Sequence, residues 1–236
     1  GTGTLLVGDT ISSFAENDVF ILGSNLPHAF KSDKKVTEKS KMLTLFFTET
    51  SFGESFFKLN ELAEINYLFS KSLQGLSLTS NKTEIIKNFL KLKNASKLAR
   101  FILFLEILKM VSDATSNPLS TFVYAKKYSD TEGKRMRNVF DFTIENAHQK
   151  ISLDHISNIA NMTKNAFCKY FKKRTNKTYV SFLTELRIEN ACKLLKSDKD
   201  VSINEIAYKV GFNNISNFNR KFKEVKKVTP ISYRNL

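Results

Sequence analysis

Two stretches of the sequence place hydrogen-bonding and basic side chains at helical spacing, about 50 residues apart. Residues three, four and seven apart lie on one face of a helix. The first face carries the amide, thiol and ammonium groups of Asn165, Cys168, Lys169 and Lys172. The second carries the hydroxyl, amide, guanidinium and ammonium groups of Ser216, Asn217, Asn219, Arg220 and Lys223. Such groups hydrogen-bond to base edges and bind phosphates, so both faces favour nucleic-acid recognition.

The second face gives the sharper hypotheses about base contacts. Arg220 suits a bidentate contact to guanine, and Asn217 or Asn219 suits adenine. Ile215 either packs inward or touches a thymine methyl group. The alternative for each polar residue is an ordinary solvated helix face. For Cys168, a tolerated small residue is favoured over a reactive thiol.

The elements that must position these faces form a repeat. The first copy contains Ser152, Leu153, Ile156, Phe167, Phe171, Lys172, Thr178, Ser181 and Phe182. The second contains Ser202, Ile203, Ile206, Phe218, Phe222, Lys223, Thr229, Ser232 and Tyr233. The offset is 50 residues before the turn and 51 after it. Because each copy has a short helical pattern, a turn and a more basic helical pattern, it predicts a helix-turn-helix unit.

Residues at the ends of the predicted helices support both units. Ser152 and Thr163 can cap the two helices of the first unit, because a hydroxyl oxygen accepts a free backbone N–H. In the second unit, Ser202 and Glu205 form the S-x-x-E pattern of a capping box. Gly211 then ends the helix, because glycine adopts a left-handed backbone most easily.

The N-terminal half has a different pattern. Residues 1–50 predict short strands, at 5–7, 19–22 and 42–47. Helical stripes follow at about 54–73, 82–93 and 95–113. The last stripe, from Leu98 to Val111, is apolar on so much of its circumference that it predicts burial in its own domain or, less favoured, pairing in a dimer.

The region between the halves predicts a linker over 114–130, because it combines Asn117-Pro118 with several Ser and Thr residues. A helix over about 131–147 then opens the C-terminal domain. A long helix over about 179–196 joins the two helix-turn-helix units.

The charge is concentrated where these units lie. The net charge is +14, and 42% of the residues are hydrophobic, which suffices for a packed core. Residues 130–236 contain 21 Lys and Arg against 11 Asp and Glu, whereas residues 1–129 contain 16 against 12. A basic half beside a more neutral one favours a nucleic-acid module, although charge alone does not separate DNA from RNA or a membrane surface.

Several other classes are disfavoured. Cys168 and Cys192 form neither a disulfide framework nor a CxxC metal pattern. No apolar run approaches the roughly 18 residues of a spanning helix, so no membrane partner is expected. No signal peptide opens the chain, which favours a reducing cytoplasm. His28, His148 and His155, the last two on predicted helices, have no second ligand in view, so neither a metal nor a cofactor is expected.

Three C-terminal segments carry a family signature: Glu205–Phe212, Phe218–Lys223 and Thr229–Arg234. They resemble the signature of AraC/XylS-type bacterial transcriptional regulators. Arg187, Ala191 and Leu194-Leu195 resemble that family's R-x-x-x-A-x-x-L-L linker helix. The resemblance covers about 130–236 and implies a seven-helix domain whose two recognition helices enter successive major-groove segments on one face of the DNA.

Two positions depart from the family pattern. The family usually has glycine after each recognition helix, whereas Asn176 and Lys227 stand there in this chain. Asn adopts a left-handed backbone at modest energetic cost, whereas for Lys the cost is higher.

The N-terminal half resembles the cupin-like sensor domain often fused to such regulators, at Gly1–Gly3, Gly8-Asp9, Asn17–Leu22 and Leu26–His28. The match begins in mid-barrel, so we expect the strands that normally precede Gly1 to be missing, through truncation or divergence. The resemblance implies that this domain binds a small-molecule effector or mediates dimerisation, with residues 82–113 contributing to the dimer contact. His28 alone makes no metal site, and a structural or loop role is favoured for it.

The predicted fold class is therefore α+β, in three parts. Residues 1–113 form a partial cupin-like β-barrel followed by helices, 114–130 form a linker, and 131–236 form an all-α domain with two helix-turn-helix units joined by a long helix. The predicted function is non-enzymatic, sequence-specific regulation of transcription. The expected partners are double-stranded promoter DNA, an effector or a second copy in a homodimer, and RNA polymerase if the protein activates transcription. Because the two copies are unequal, each is expected to read a different half of an asymmetric site.

Two other functions stay open. A cupin-type metalloenzyme with an accessory DNA-binding tail would need a cluster of His and carboxylate ligands, and residues 1–50 contain one histidine. A non-specific nucleoid or RNA-binding protein would need no amide-bearing face on two recognition helices.

Overall fold

The computed structural model describes residues 1–33, 41–123 and 130–236. The chain divides into two compact units, Gly1–Lys126 and Lys127–Leu236. Within the described ranges, no helix is both long enough and apolar enough to cross a bilayer. The same ranges contain no group of three or more His, Cys, Asp or Glu side chains placed to hold a metal ion.

The first unit combines strands and helices. Its strands are β1 (Gly3–Val7), β2 (Thr10–Phe14), β3 (Phe20–Ile21), β4 (His28–Ser32), β5 (Leu76–Leu78) and β6 (Ser116–Pro118). Its α-helices are α1 (Ala63–Ser72), α2 (Lys82–Leu92) and α3 (Lys97–Asp113), preceded by 3₁₀ turns at Phe56–Lys58 and Asn60–Leu62. The strands form two antiparallel sheets, in the orders β2-β1-β4 and β3-β5-β6.

Strand β1 is the buried centre of the first sheet. Leu5 pairs with Ser12 of β2 on one side and with Phe30 of β4 on the other. All five residues of β1 are buried, and because successive side chains point to opposite faces, neither face of the strand is open to solvent. Such a strand shows a continuous apolar run instead of alternation, which explains why the prediction over 5–7 was correct.

A buried carboxylate joins this sheet to the end of the unit. Asp9, in the turn after β1, accepts hydrogen bonds from Ser120 Oγ at 2.8 Å and from the Thr121 backbone N–H at 3.0 Å. The Thr121 hydroxyl donates to the other carboxylate oxygen. These bonds fix residues that follow β6, so the predicted linker over 114–130 needs correction. Ser116–Pro118 is a paired strand of the first unit, and 124–129 lie outside the described residues.

The helices of the first unit enclose an aromatic core. Phe57, Ile85, Phe104 and Ile107 are each at most 5% exposed. In α3 the buried residues are Phe104, Ile107, Leu108 and Val111. Leu98 and Ile102, at the beginning of the predicted apolar face, are 69% and 49% exposed. The helix therefore buries the C-terminal part of that face in its own unit and leaves the N-terminal part exposed.

The predicted strand over 42–47 was wrong. This segment has no regular secondary structure, and Phe46 is 88% exposed. Phe47 instead packs its ring against Phe104, with centroids 5.0 Å apart. Phe47 of this apolar run thus fills part of the helical core. The run does not form a strand, because no neighbouring strand in the described part of the chain pairs with its backbone. With each sheet limited to three strands and open, the described residues show a mixed α and β unit, not a closed barrel.

In the described residues of the second unit, all regular secondary structure is helical. Its helices are α4 (Asp130–Asn146), α5 (Leu153–Ile159), α6 (Lys164–Thr175), α7 (Tyr179–Ser197), α8 (Ile203–Lys209), α9 (Ile215–Lys226) and α10 (Pro230–Arg234). Seven helices over 130–236 agree with the family resemblance, and the helices predicted over 131–147 and 179–196 are confirmed. Helix α7 runs between the two helix-turn-helix units and packs on α8, α9 and α10 through one apolar core.

Candidate nucleic-acid interface

The first helix-turn-helix unit consists of α5, a turn and α6. Ser152 Oγ accepts the His155 backbone N–H at 3.1 Å, and Thr163 Oγ1 accepts the Ala166 N–H at 3.4 Å. Both predicted caps are therefore confirmed. In the turn, Asn161 adopts a φ of +51°, which asparagine tolerates better than most residues. These local signals fix where the recognition helix α6 begins.

Helix α6 is anchored on one side and exposed on the other. Phe167 and Phe171 are fully buried. Tyr170 is half-buried, and its hydroxyl donates to the Glu132 carbonyl oxygen at 3.1 Å. The Arg174 guanidinium lies 4.9 Å from the Tyr170 ring and forms an ion pair with Glu132. The side of α6 that carries Asn165, Cys168, Lys169 and Lys172 is exposed.

The second unit begins with the predicted capping box. The Glu205 N–H donates to Ser202 Oγ at 3.1 Å, and the Ser202 N–H donates to the Glu205 carboxylate at 3.1 Å. The hydrogen bond from the Ser202 backbone holds the pKa of Glu205 below its usual value. After α8, Gly211 adopts a φ of +99°, as expected for a glycine that ends a helix.

The recognition helix of this unit, α9, has the same two-sided arrangement. Asn214 Oδ1 accepts the Asn217 N–H at 3.0 Å and caps the helix. Phe218 and Phe222 are fully buried. Ile215 packs against the core of the second unit, which decides between its two alternatives. The residues predicted to meet nucleic acid, Ser216, Asn217, Asn219, Arg220 and Lys223, are all exposed.

The two positions that depart from the family pattern adopt the backbone that glycine would. Asn176 follows α6 with a φ of +55°, and Lys227 follows α9 with a φ of +63°. Both recognition helices thus end in a left-handed residue. Lysine is tolerated there because the Lys227 N–H still closes the helix, donating to the Lys223 carbonyl oxygen at 2.9 Å.

Arg220 lies between two polar neighbours on the exposed face of α9. Its Nη2 donates to Asn217 Oδ1 at 2.9 Å, and its Nη1 lies 3.6 Å from the Glu224 carboxylate. Lys221 donates to the same carboxylate at 2.8 Å. Sequence reasoning selected Arg220 and Asn217 but missed Glu224. The signal that could have found it is the four-residue spacing from Arg220, at which opposite charges meet on a helix.

A second feature that sequence reasoning missed is the contact made by Arg187 of α7. Its Nε donates to the Ala147 carbonyl oxygen and its Nη2 to the Gln149 carbonyl oxygen, each at 2.7 Å. The guanidinium carbon also lies 6.0 Å from the ring of Phe212. Partial burial lowers the pKa of Arg187. This side chain therefore connects the end of α4, which packs on the first helix-turn-helix unit, to the turn of the second.

The charges of this surface suit a polyanion. Lys169, Lys172 and Lys223 are exposed on the recognition helices. Among the described residues, none of these three ammonium groups has a carboxylate partner. Ammonium groups that have no carboxylate partner in the described part of the chain are available to neutralise phosphates.

The histidines take ordinary structural positions. The Nδ1 of His28 lies 2.9 Å from the Leu26 carbonyl oxygen, to which it can donate. The ring of His155, on α5, packs against Phe142 with centroids 5.0 Å apart. His148 lies in the turn after α4, not on a helix as predicted, because α4 ends at Asn146.

Comparison with known proteins places these elements in a family. The model of a family described as a helix-turn-helix domain matches residues 156–236. The TetD protein of transposon Tn10 from Escherichia coli is 36% identical over 99 residues, which cover 42% of this chain and 71% of that protein. The HTH-type transcriptional regulator YdeC of Bacillus subtilis is 30% identical over 102 residues. The chain belongs to the AraC-type family of helix-turn-helix regulators.

The match to these relatives is confined to part of each chain. The 102 residues shared with YdeC cover 43% of this chain and 35% of YdeC, so the chain spans about a third of that relative. A solved regulator from Chromobacterium violaceum, described as containing an AraC-type DNA-binding domain, is 20% identical. The match covers 45% of this chain and 95% of that one, with a TM-score of 0.42.

Proposed function

We propose that the protein is a sequence-specific, DNA-binding transcriptional regulator in which α6 and α9 enter successive major-groove segments. The observation that carries the proposal is the pair of capped recognition helices, each anchored by two fully buried phenylalanines and exposing an amide- and cation-bearing face. A helix of this kind fits the major groove, where base edges present a distinct pattern of donors and acceptors.

The exposed side chains divide into two proposed roles. Arg220 contacts guanine in a bidentate manner, and an amide, Asn217 or Asn219, contacts adenine. Asn165, Cys168 and Ser216 lie where α6 and α9 would meet base edges. Lys169, Lys172 and Lys223 bind phosphates and supply affinity that does not depend on sequence.

The relationship between the two helices favours an asymmetric site. Each position of α9 corresponds to the residue 51 positions earlier on α6, so Arg220 corresponds to Lys169 and Asn219 to Cys168. Different side chains at equivalent positions select different bases. The proposed target is therefore two unlike segments of one duplex, not a palindrome read by one chain.

The role proposed for the N-terminal unit, Gly1–Lys126, is control of the DNA-binding unit, Lys127–Leu236. Its resemblance to a cupin-like sensor domain supports binding of a small-molecule effector, and Leu98 and Ile102, exposed on α3, support a contact with a second copy. RNA polymerase becomes a partner if the protein activates transcription, and a bacterial cytoplasm is the proposed location. The names of the reported relatives do not favour a cupin-type metalloenzyme.

The proposal is tested by selecting duplexes from a randomised pool with the full chain and titrating the recovered duplex at fixed salt against a scrambled one. A specific regulator should bind the recovered sequence about 10³-fold or more tightly. Equal affinity for both duplexes, or equal affinity for single strands, would leave a non-specific nucleic-acid binder. Fixed salt is essential, because phosphate contacts make affinity fall steeply with ionic strength.

A further inference from the structure

Three side chains form a line along the exposed face of α9. Asn217, Arg220 and Glu224 follow one another at spacings of three and four residues, so they lie on one stripe of the helix. Arg220 stands in the middle, 2.9 Å from the Asn217 amide oxygen and 3.6 Å from the Glu224 carboxylate. The side chains of Arg220 and Glu224 are 65% and 56% exposed, so a duplex in contact with α9 would reach both.

We propose that Asn217 and Glu224 are positioning residues that set the base selectivity of Arg220, and that the base they select is guanine. The inference rests on the proposed function, because it requires α9 to lie in the major groove.

The geometry of the guanidinium supports this role. Arginine carries five N–H donors in a rigid planar fork. Here Nη2 uses one N–H for Asn217 Oδ1, and Nη1 faces the Glu224 carboxylate. Contacts at both ends restrict rotation of the fork and leave its other N–H groups for a ligand. Guanine presents O6 and N7 as two acceptors side by side, which match two neighbouring donors. Adenine offers a donor where guanine offers O6, so a fixed fork rejects it.

The charge of Glu224 adds a second element of selectivity. An unpartnered arginine attracts any phosphate, and such contacts carry no sequence information. A carboxylate beside Arg220 repels a phosphate that approaches the same place, whereas guanine presents uncharged acceptors. Specificity often depends on such a repulsive element as well as on an attractive one.

Lys221 keeps the carboxylate in place and ionised. Lys221 follows Arg220 directly in α9, and its Nζ donates to the Glu224 carboxylate at 2.8 Å. That hydrogen bond, together with the positive charges of Lys221 and Arg220, lowers the pKa of Glu224. The carboxylate is therefore charged throughout the neutral range.

The first recognition helix has no equivalent arrangement. The residues 51 positions earlier than Asn217, Arg220 and Glu224 are Ala166, Lys169 and Lys173. That stripe holds two cations and neither an amide nor a carboxylate. The guanine selectivity inferred for α9 is therefore a property of the second helix-turn-helix unit alone. It also assigns the Asn217 amide to Arg220, which leaves Asn219 as the amide of α9 that reads adenine.

A double-mutant cycle tests the inference on the full chain. The affinities of wild type, Glu224→Gln, Arg220→Ala and the double variant are measured on the selected duplex. They are measured again on duplexes substituted at the base pair where Arg220→Ala loses its preference. Glu224→Gln should lower the guanine-over-adenine affinity ratio by about three- to tenfold and raise affinity for a scrambled duplex. In the Arg220→Ala background it should leave the ratio unchanged.

Asp200→Asn is the matched control, since it removes one exposed acidic charge beyond the end of α7. It should leave the guanine ratio at the wild-type value. The inference is overturned if Glu224→Gln changes affinity for every duplex by one factor, as a general charge effect would, or if it changes the ratio equally without Arg220. It also fails if Arg220→Ala keeps the full base preference, which leaves the DNA-binding function intact. A wild type with no preference among duplexes overturns the proposed function as well.

Discussion

Arg187 and Gly211 lie so close together that no side chain fits between them. A Cβ atom added at Gly211 would lie 2.9 Å from Arg187 Nε and 2.8 Å from the Ala147 carbonyl oxygen. The same Nε donates to that carbonyl at 2.7 Å. The turn of the second helix-turn-helix unit is therefore packed directly against the hydrogen bond that joins α7 to the end of α4.

Gly211→Ala should destabilise the second helix-turn-helix unit. The φ of +99° strains any residue with a Cβ, and the added carbon would meet backbone. We expect a loss of about 1–3 kcal/mol in the free energy of unfolding, measured by urea denaturation followed by circular dichroism. Gly133→Ala is the matched control, because no atom lies within 4 Å of its added Cβ on α4. It should stabilise the chain by about 0.5–1 kcal/mol. Equal effects of the two substitutions would contradict this account of Gly211.

Arg187→Lys should weaken DNA binding that needs both recognition helices and spare binding that needs only one of them. Lysine keeps the charge but cannot reach the Ala147 and Gln149 carbonyl oxygens with a planar fork. The two helix-turn-helix units, both within Lys127–Leu236, then lose one connection that fixes their relative placement. Affinity for the full selected duplex should fall about tenfold or more, while affinity for duplexes containing one segment changes little. Parallel losses on both kinds of duplex would show that the contact does not set the spacing.

Lys227→Gly should stabilise the second helix-turn-helix unit, since Lys227 holds a left-handed backbone at a φ of +63°. Relief of that strain is worth about 1 kcal/mol. Lys173→Gly, on the exposed side of α6, is the control for loss of a lysine. It should destabilise the chain by about 1 kcal/mol, because glycine weakens a helix interior. Thermal unfolding of both variants gives the comparison, and a lower melting temperature for Lys227→Gly would be inconsistent with strain at that position.

Asp9→Asn should weaken the first unit in a pH-dependent way. Burial tends to raise the pKa of Asp9, but the hydrogen bonds from Thr121 and Ser120 outweigh it, so the pKa is lowered. A depressed pKa in the folded state contributes stability above the unfolded value, which is lost as the pH falls through the folded value. At pH 7 the substitution should cost about 1–3 kcal/mol.

The difference between wild type and Asp9→Asn should shrink as the pH falls below about 4. Urea denaturation at a series of pH values measures it. Glu16→Gln, in an exposed turn, is the control and should show little difference at any pH. A constant difference for Asp9→Asn across the series would rule out a role for the ionised carboxylate.

Lys172→Ala and Arg220→Ala should differ in kind. Removal of a phosphate contact weakens binding to all duplexes alike and reduces the salt slope by about one, whereas removal of a base contact costs about 1–3 kcal/mol and relaxes preference at one position. Titrations of both variants over a range of salt concentrations separate the two effects. Selective loss at one base in Lys172→Ala would reverse the assigned role.

The second unit could be predicted from sequence because its signals are local. Ser202 and Glu205 stand three residues apart and bond to each other's backbone, and Thr163 caps the helix that follows it directly. The buried faces follow from helical spacing, as Phe218 and Phe222 illustrate. Each of these features needs only a short stretch of chain to be recognised.

The features that could not be predicted depend on residues far apart in the chain. Arg187 bonds to backbone 40 positions earlier, and no pattern within α7 reveals that partner. Residues 42–47 have the composition of a strand, but sequence does not show whether another strand lies beside them. Glu224 was missed for another reason, because an acidic residue on a basic face looks like ordinary solvated surface until its distance from Arg220 is known.

Methylation interference on the selected duplex tests the central claim most directly, since a methyl group on guanine N7 blocks an arginine in the major groove. If α6 and α9 read successive segments, interference should fall in two clusters about 10 base pairs apart on one face of the duplex. Arg220→Ala should remove the guanine signal from one cluster and leave the other. A single cluster, or weak interference spread evenly over the duplex, would contradict recognition by two helices.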